Sequence, residues 1–213
     1  MIDLRHGDCM EYLATCEDNA FELAIVDPPY GIGMDGVGEA ISTGKSKPKG
    51  NRLRKAYERK AWDQKPCAGY FQEVKRVAQD QIIWGANYFV EHLDNTRGWI
   101  VWDKVQRGLT YGDLEIAYTS FDRVPRAFNL HRSQLWKESP IHPTQKPVKL
   151  YEWLLMNYAK EGDRILDTHL GSGSIAIACH NLGFDLVGCE LDEDYYKGAC
   201  ERLERHKAQL RMF

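Results

Sequence analysis

Four consecutive residues, Asp27-Pro28-Pro29-Tyr30, stand where the apolar run Leu23–Val26 stops. A buried strand usually ends in soluble turn residues. This one ends in a carboxylate, two imino acids and an aromatic ring. Proline fixes φ near −65° and supplies no N–H, so the neighbouring carbonyls stay aimed and the acid beside them is held still. The composition suits either a stiff turn or a site presenting acceptors and a ring to a ligand. A second stretch carries different chemistry. Gly171, Gly173 and Ala176 fit G-x-G-x-x-G/A after a strand ending in Asp167, and Glu190 ends the strand that follows. Glycines allow close backbone approach, a helix N-terminus offers free N–H groups, and an acid at that distance accepts from ribose hydroxyls. The pattern points to a nucleoside-bearing cofactor.

The order of these stretches narrows the cofactor. A dinucleotide domain starts with its glycine unit and adds strands after it, but only 23 residues follow Glu190, room for one helix. The other strands must come from the N-terminal half, so the sheet is permuted. Asp167 also stands four residues before Gly171, a wider turn than a pyrophosphate cradle. Both features favour S-adenosylmethionine, which has no pyrophosphate, over NAD.

Positioning these residues requires a scaffold that the patterning supplies. Strands are predicted at Ile2–Arg5, Phe21–Val26, Gln81–Trp84, Gly98–Trp102, Leu114–Phe121, Arg126–His131, Arg164–Asp167 and Leu186–Glu190. Helices are predicted at Asp8–Thr15, Tyr70–Ala78, Ala86–Leu93, Val148–Ala159 (with Pro147 in its first turn), Ser174–Leu182 and Asp192–Leu210. Alternating strand and helix imply a mostly parallel, Rossmann-like α/β sheet with helices on both faces. The three strands between Gly98 and His131 follow one another without helices, which predicts an antiparallel edge. One domain is expected over residues 1–213.

Composition sets the class. Hydrophobic residues make up 43% of the chain, no run approaches a membrane span, and Met1–Arg5 is not a signal peptide, so a cytoplasmic protein is expected. The six cysteines have no CxxC spacing and read as reduced core thiols; no metal site is expected. His92, His131 and His180 read as structural, and Trp84, Tyr88, Trp99 and Trp102 mostly as core, with framing of a base pocket as the alternative.

The net charge of −3 conceals a basic island. Lys45, Lys47, Lys49, Arg52, Arg54, Lys55, Arg59 and Lys60 face only Glu58 in sequence, a local +7 on a body of −10. The island lies in a long loop, Gly31–Lys65, directly after Tyr30. Such a segment suits a polyanion contact and is expected to order on binding it. Arg52, Arg54 and Tyr57 are types that reach base edges or stack.

Asp27–Tyr30, "DPPY", resembles the catalytic motif of amino-group DNA methyltransferases, which act on adenine N6 or cytosine N4. "HPTQKP" (His142–Pro147) and "LDTHLGSGS" (Leu166–Ser174) resemble that family's cofactor motifs, and their order resembles its permuted beta class. "HGDCMEYL" (His6–Leu13), "IIWGANYF" (Ile82–Phe89) and "GWIVWDK" (Gly98–Lys104) extend the likeness over nearly the whole chain. The resemblance implies catalysis by Asp27, Pro28, Pro29 and Tyr30. The Asp27 carboxylate and Pro28 carbonyl would accept from an amino group whose lone pair is otherwise delocalised, and Tyr30 would stack a flipped base. It implies cofactor contacts by Asp167, His169, Leu170, Gly171 and Gly173, by Glu190 on the ribose, and by Asp8 on the adenine. Thr144 and Lys146 would meet the methionine carboxylate, beside His142.

Two departures stand out. The family commonly has Asp-Pro-Phe where this chain has Asp167-Thr168-His169, which alters an aromatic wall. Its usual target-recognition insert has little room within the strand-like stretch Asp113–Ile141, which leaves the basic loop to meet double-stranded DNA. The implied activity is adenine-N6 methylation, because serine is commoner than Asp27 in cytosine-N4 enzymes. Cytosine N4, a non-catalytic DNA-binding module and a nicotinamide oxidoreductase remain the alternatives. Homodimerisation and a cognate restriction endonuclease are further partners the resemblance allows.

Overall fold

The computed structural model describes residues 1–34, 60, 62–107, 112–131, 133–134 and 138–209. The loop residues 35–59 and 61, and with them most of the basic island, lie outside the described residues.

The strands are β1 (Ile2–His6), β2 (Phe21–Val26), β3 (Ala78–Trp84), β4 (Ile100–Asp103), β5 (Leu114–Thr119), β6 (Arg126–Asn129), β7 (Arg164–Asp167) and β8 (Asp185–Glu190). They form one sheet in the order β1-β8-β7-β2-β3-β5-β4-β6. The first five run parallel, and β5 is antiparallel to both β3 and β4. The sheet pairs the strands that carry the glycine turn and DPPY: Leu23 and Ala24 of β2 stand opposite Ile165 and Leu166 of β7.

Side chains alternate across the strands and bury two layers. Leu23, Ile25, Ile82 and Trp84 pack against α3 (Val148–Tyr158), α4 (Ser174–Leu182) and α5 (Glu193–Ala208). Ala24, Val26 and Ile83 face α1 (Cys9–Leu13) and α2 (Ala68–Val77). Local chemistry sets the helix ends near the cofactor motifs. Asp8 caps α1 by accepting from Met10 N–H at 2.8 Å, and Asp192 caps α5 by accepting from Asp194 and Tyr195 N–H at 3.0 Å.

Two expectations need correction. Edge strand β6 pairs parallel to β4, not antiparallel. Both sides of β5 are already used, and a strand returning directly after β5 runs opposite to it, hence alongside β4. Ala86–Leu93 is not a helix but two 3-10 turns, Ala86–Tyr88 and Val90–His92. Eight residues including Asn87 and β-branched Val90 do not offset helix nucleation, and Phe89 breaks the run at φ −130°. Among the described residues no helix is long and apolar enough to cross a membrane.

Candidate active site

The carboxyl ends of β2 and β7 open into one cavity of about 690 Å³, within the range of small-molecule sites. Asp27, Pro28, Pro29 and Tyr30 form one wall. His169, Leu170, Gly171 and Glu190 form another, with Asp8, His142, Thr144 and Lys146 completing the lining.

On the β2 side the Asp27 carboxylate is held at both oxygens. The Tyr30 hydroxyl donates to Oδ1 at 2.6 Å, and the Lys146 ammonium binds Oδ2. Burial pushes the Asp27 carboxyl above its ordinary value, and the charge of Lys146 pulls against that shift. The Tyr30 ring stacks on Tyr88 at 4.9 Å and meets Phe89 edge-on at 6.0 Å. Gly85 makes this possible: its φ is +68°, and a Cβ there would collide with the Tyr30 ring. Beyond Tyr30, the Asp63 carboxylate accepts three backbone N–H groups, from Gly31 (2.8 Å), Ile32 (3.1 Å) and Met34 (2.7 Å). The turn after DPPY is thereby pinned.

On the β7 side Glu190 clamps the glycine turn. Its Oε2 accepts from Gly171 N–H at 2.7 Å and its Oε1 from Asp192 N–H at 2.9 Å. Gly171 has φ +52°, and a Cβ there would meet only the His142 ring, at 3.9 Å. Gly173, at φ +71°, instead lets the start of α4 approach α5, since a Cβ would lie 3.0 Å from Ala199 Cβ. Asp167 is fully buried behind the turn, where it accepts from His169 N–H at 3.0 Å. Burial pushes its carboxyl up to about 8.

The Thr168-His169 departure has a partner. Tyr70 Oη lies 2.7 Å from Thr168 Oγ1, which lies 2.9 Å from His169 Nδ1, and the Tyr70 and His169 rings meet edge-on at 5.3 Å. A hydrogen-bonded wall replaces a purely apolar one. Burial lowers the His169 imidazole to about 4, and that of His142 to about 3, so both are neutral near pH 7.

A family model described as DNA methylase, for N6/N4 methyltransferases, matches residues 120–201, which contain HPTQKP, the glycine turn and Glu190. Type II methyltransferase M.HpaI of Haemophilus parainfluenzae is 23% identical over 236 aligned positions, covering 93% of this chain and 73% of that protein. In sequence the chain is thus similar to N6/N4 amino-methyltransferases. Two solved structures share the fold of this chain. The crystal structure of the M1.HpyAVI–SAM complex matches with a TM-score of 0.63 at 18% identity, covering 95% of this chain and 100% of that one. PvuII DNA methyltransferase, cytosine-N4-specific, matches at 0.62 and 13% identity, covering 97% and 90%.

The cavity brings together the four DPPY residues and Asp8, His142, Thr144, Lys146, His169, Leu170, Gly171 and Glu190. Asp167 and Gly173 shape the turn from behind rather than line the cavity. Lys146 does meet a carboxylate, but the carboxylate is that of Asp27. Of the basic island, Lys45, Lys47, Lys49, Arg52, Arg54, Lys55 and Arg59 lie outside the described residues. The Lys60 ammonium is paired with Asp192 at 2.6 Å and Asp194 at 2.7 Å, so its charge is neutralised within the protein and it anchors the returning loop. Trp62, next in that anchor, packs on His142 at 4.9 Å.

Sequence reasoning missed Tyr70, Asp63, Trp62, Glu115 and Arg202. Arg202 donates to Ser172 O (2.9 Å), Ser174 Oγ (2.8 Å) and Glu138 Oε2 (2.8 Å), tying α5 to the glycine turn. Glu138 accepts Val148 N–H at 3.2 Å, joining the start of α3 to the same cluster. The signal for Arg202 was present: a lone arginine on the buried face of an amphipathic helix demands acceptors.

Proposed function

We propose that the chain transfers a methyl group from S-adenosylmethionine to the exocyclic N6 of adenine in double-stranded DNA. The observation that carries this reading is the Asp27–Pro28 acceptor pair lining the same cavity as the Gly171–Glu190 turn.

The residues fit the cofactor. Gly171 leaves a cradle that a side chain would narrow, Glu190 presents acceptors for ribose hydroxyls, and Asp8, Tyr70 and His169 surround the rest of that wall. When bound, S-adenosylmethionine supplies an electrophilic methyl group on a sulfonium. The chain's own contribution is positioning and acceptance of N–H hydrogens. The Asp27 carboxylate has lone pairs beyond those used by Tyr30 and Lys146, and the Pro28 carbonyl is rigid, so the two can hold an amino group from two sides. Accepting both hydrogens draws the nitrogen toward a tetrahedral, nucleophilic form. The Tyr30–Tyr88 stack offers aromatic surface to a base removed from its duplex. The loop lysines and arginines from Lys45 to Arg59 are assigned to the phosphates. Aspartate rather than serine at position 27 supports adenine over cytosine.

The test is nucleoside analysis. The protein is incubated with methyl-labelled S-adenosylmethionine and unmethylated genomic DNA, which is then digested. Label in N6-methyladenine supports the reading; label in N4-methylcytosine retains the mechanism with the other base.

A further inference from the structure

Glu115 sits on β5, the antiparallel strand, outside every motif of the sequence. Its carboxylate lies between two lysines. Lys104 Nζ is 2.7 Å from Oε1, and Lys146 Nζ is 3.0 Å from Oε2. The Lys146 side chain is only 2% exposed; its other ion pair is with the Asp27 carboxylate, and it also donates to Tyr30 Oη at 3.3 Å. One buried ammonium is therefore shared by two acids, one in the turn after β2 and one on β5.

The groups around Asp27 can be named from each packed element. Tyr30 comes from its own turn, Lys146 from the segment before α3, Glu115 from β5, Asp167 from the end of β7, Tyr70 from α2 and Tyr151 from α3, with Lys104 beyond Glu115. Burial would raise the Glu115 carboxyl, but Lys146 and Lys104 outweigh it and hold it at about 2. Two lysines, Lys104 and Lys146, thus face the two carboxylates of Asp27 and Glu115.

We propose that Glu115 is a positioning residue for methyl transfer: by sharing Lys146 with Asp27, it keeps the Asp27 carboxylate aimed yet incompletely neutralised, and so able to accept from the substrate amino group. The proposal rests on reading Asp27 as that acceptor. A lysine given wholly to Asp27 would compete with the amino group for the same lone pairs. A lysine drawn wholly to Glu115 would leave Asp27 buried without its cation, and the carboxylate would take up a proton.

The experiment measures saturating methyl transfer from labelled S-adenosylmethionine to genomic DNA between pH 5 and 9. Removing the Glu115 charge with Glu115→Gln is expected to lower the rate at pH 7.5 at least tenfold and to move the acid limb to lower pH. Cofactor affinity should stay within about twofold of wild type. Lys146→Met should move the acid limb the opposite way. Should Glu115→Gln not fold, Lys104→Met probes the chain from its far end: Glu115 then draws Lys146 from Asp27, and the limb should rise. A Glu115→Gln rate and limb that superimpose on wild type, or an unmoved limb in Lys104→Met, would overturn the proposal alone. A wild-type protein that labels no nucleoside would remove the methyltransferase reading beneath it.

Discussion

The Tyr30 hydroxyl donates to Asp27 Oδ1 at 2.6 Å, so the last residue of DPPY fixes the aim of the first. The ring and the hydroxyl thus have separable duties. Tyr30→Phe keeps the stack on Tyr88 but frees one carboxylate oxygen. The expected result is a fall in saturating transfer rate of roughly tenfold with little change in DNA affinity, whereas Tyr30→Ala should lose both. Steady-state kinetics on the two variants separates these effects.

The basic island should act through phosphate charge. Replacing Lys45, Lys47 and Lys49 with alanine is expected to weaken DNA binding and to reduce the slope of log K against log salt by about 2–3, since each phosphate left without its lysine removes close to 0.9. Fluorescence anisotropy across a salt series measures the slope. Equal affinity at every salt concentration would remove the island from the interface.

His169 should mark the acid stability of the fold. Its imidazole is lowered by burial to about 4, against 6.5 ordinarily. The unfolded chain therefore takes up the proton first, and the stability His169 contributes is present above about pH 6.5 and lost as pH falls toward 4. His169→Phe should remove up to about 3 kcal/mol of that loss, from about 2.5 pKa units at 1.36 kcal/mol each. Asp167 titrates oppositely in both proteins, so the difference between their denaturation curves at pH 4 and pH 7 isolates His169.

Arg202 should be a stability residue rather than a chemical one. Arg202→Met leaves the Glu138 carboxylate, whose side chain is only 21% exposed, without its cation. A loss of roughly 3 kcal/mol is expected, or a fall in Tm on the order of 10 °C. The double variant Arg202→Met, Glu138→Gln should recover part of it, which thermal unfolding checks.

Much of the scaffold was legible because local signals agreed. Helix α4 spans Ser174–Leu182 as the glycines and apolar spacing predict, with Gly173 and Gly183 at its ends in the left-handed region. Where local signals were weak, context decided. The apolar spacing over Ala86–Leu93 is helical, yet Gly85 takes a left-handed turn against the Tyr30 ring and the segment breaks at Phe89. The partner of β6 depends on which strand edges remain free, which no local pattern states. The site followed the same rule. Motif residues carry their own spacing, but Asp27 and Lys146 are 119 positions apart. Glu115 has an ordinary alternating-strand context, so its place between two lysines emerges only when β5 inserts between β3 and β4.

The central claim is that Asp27 accepts from the substrate amino group, and Asp27→Ala tests it most directly. Wild type and variant are compared in single-turnover transfer of labelled methyl to DNA, with cofactor binding measured by calorimetry on the same samples. Label in N6-methyladenine is expected for wild type, with a loss of at least a thousandfold in the variant and cofactor affinity nearly unchanged. Equal transfer by Asp27→Ala, or no label in any nucleoside with either protein, would contradict it.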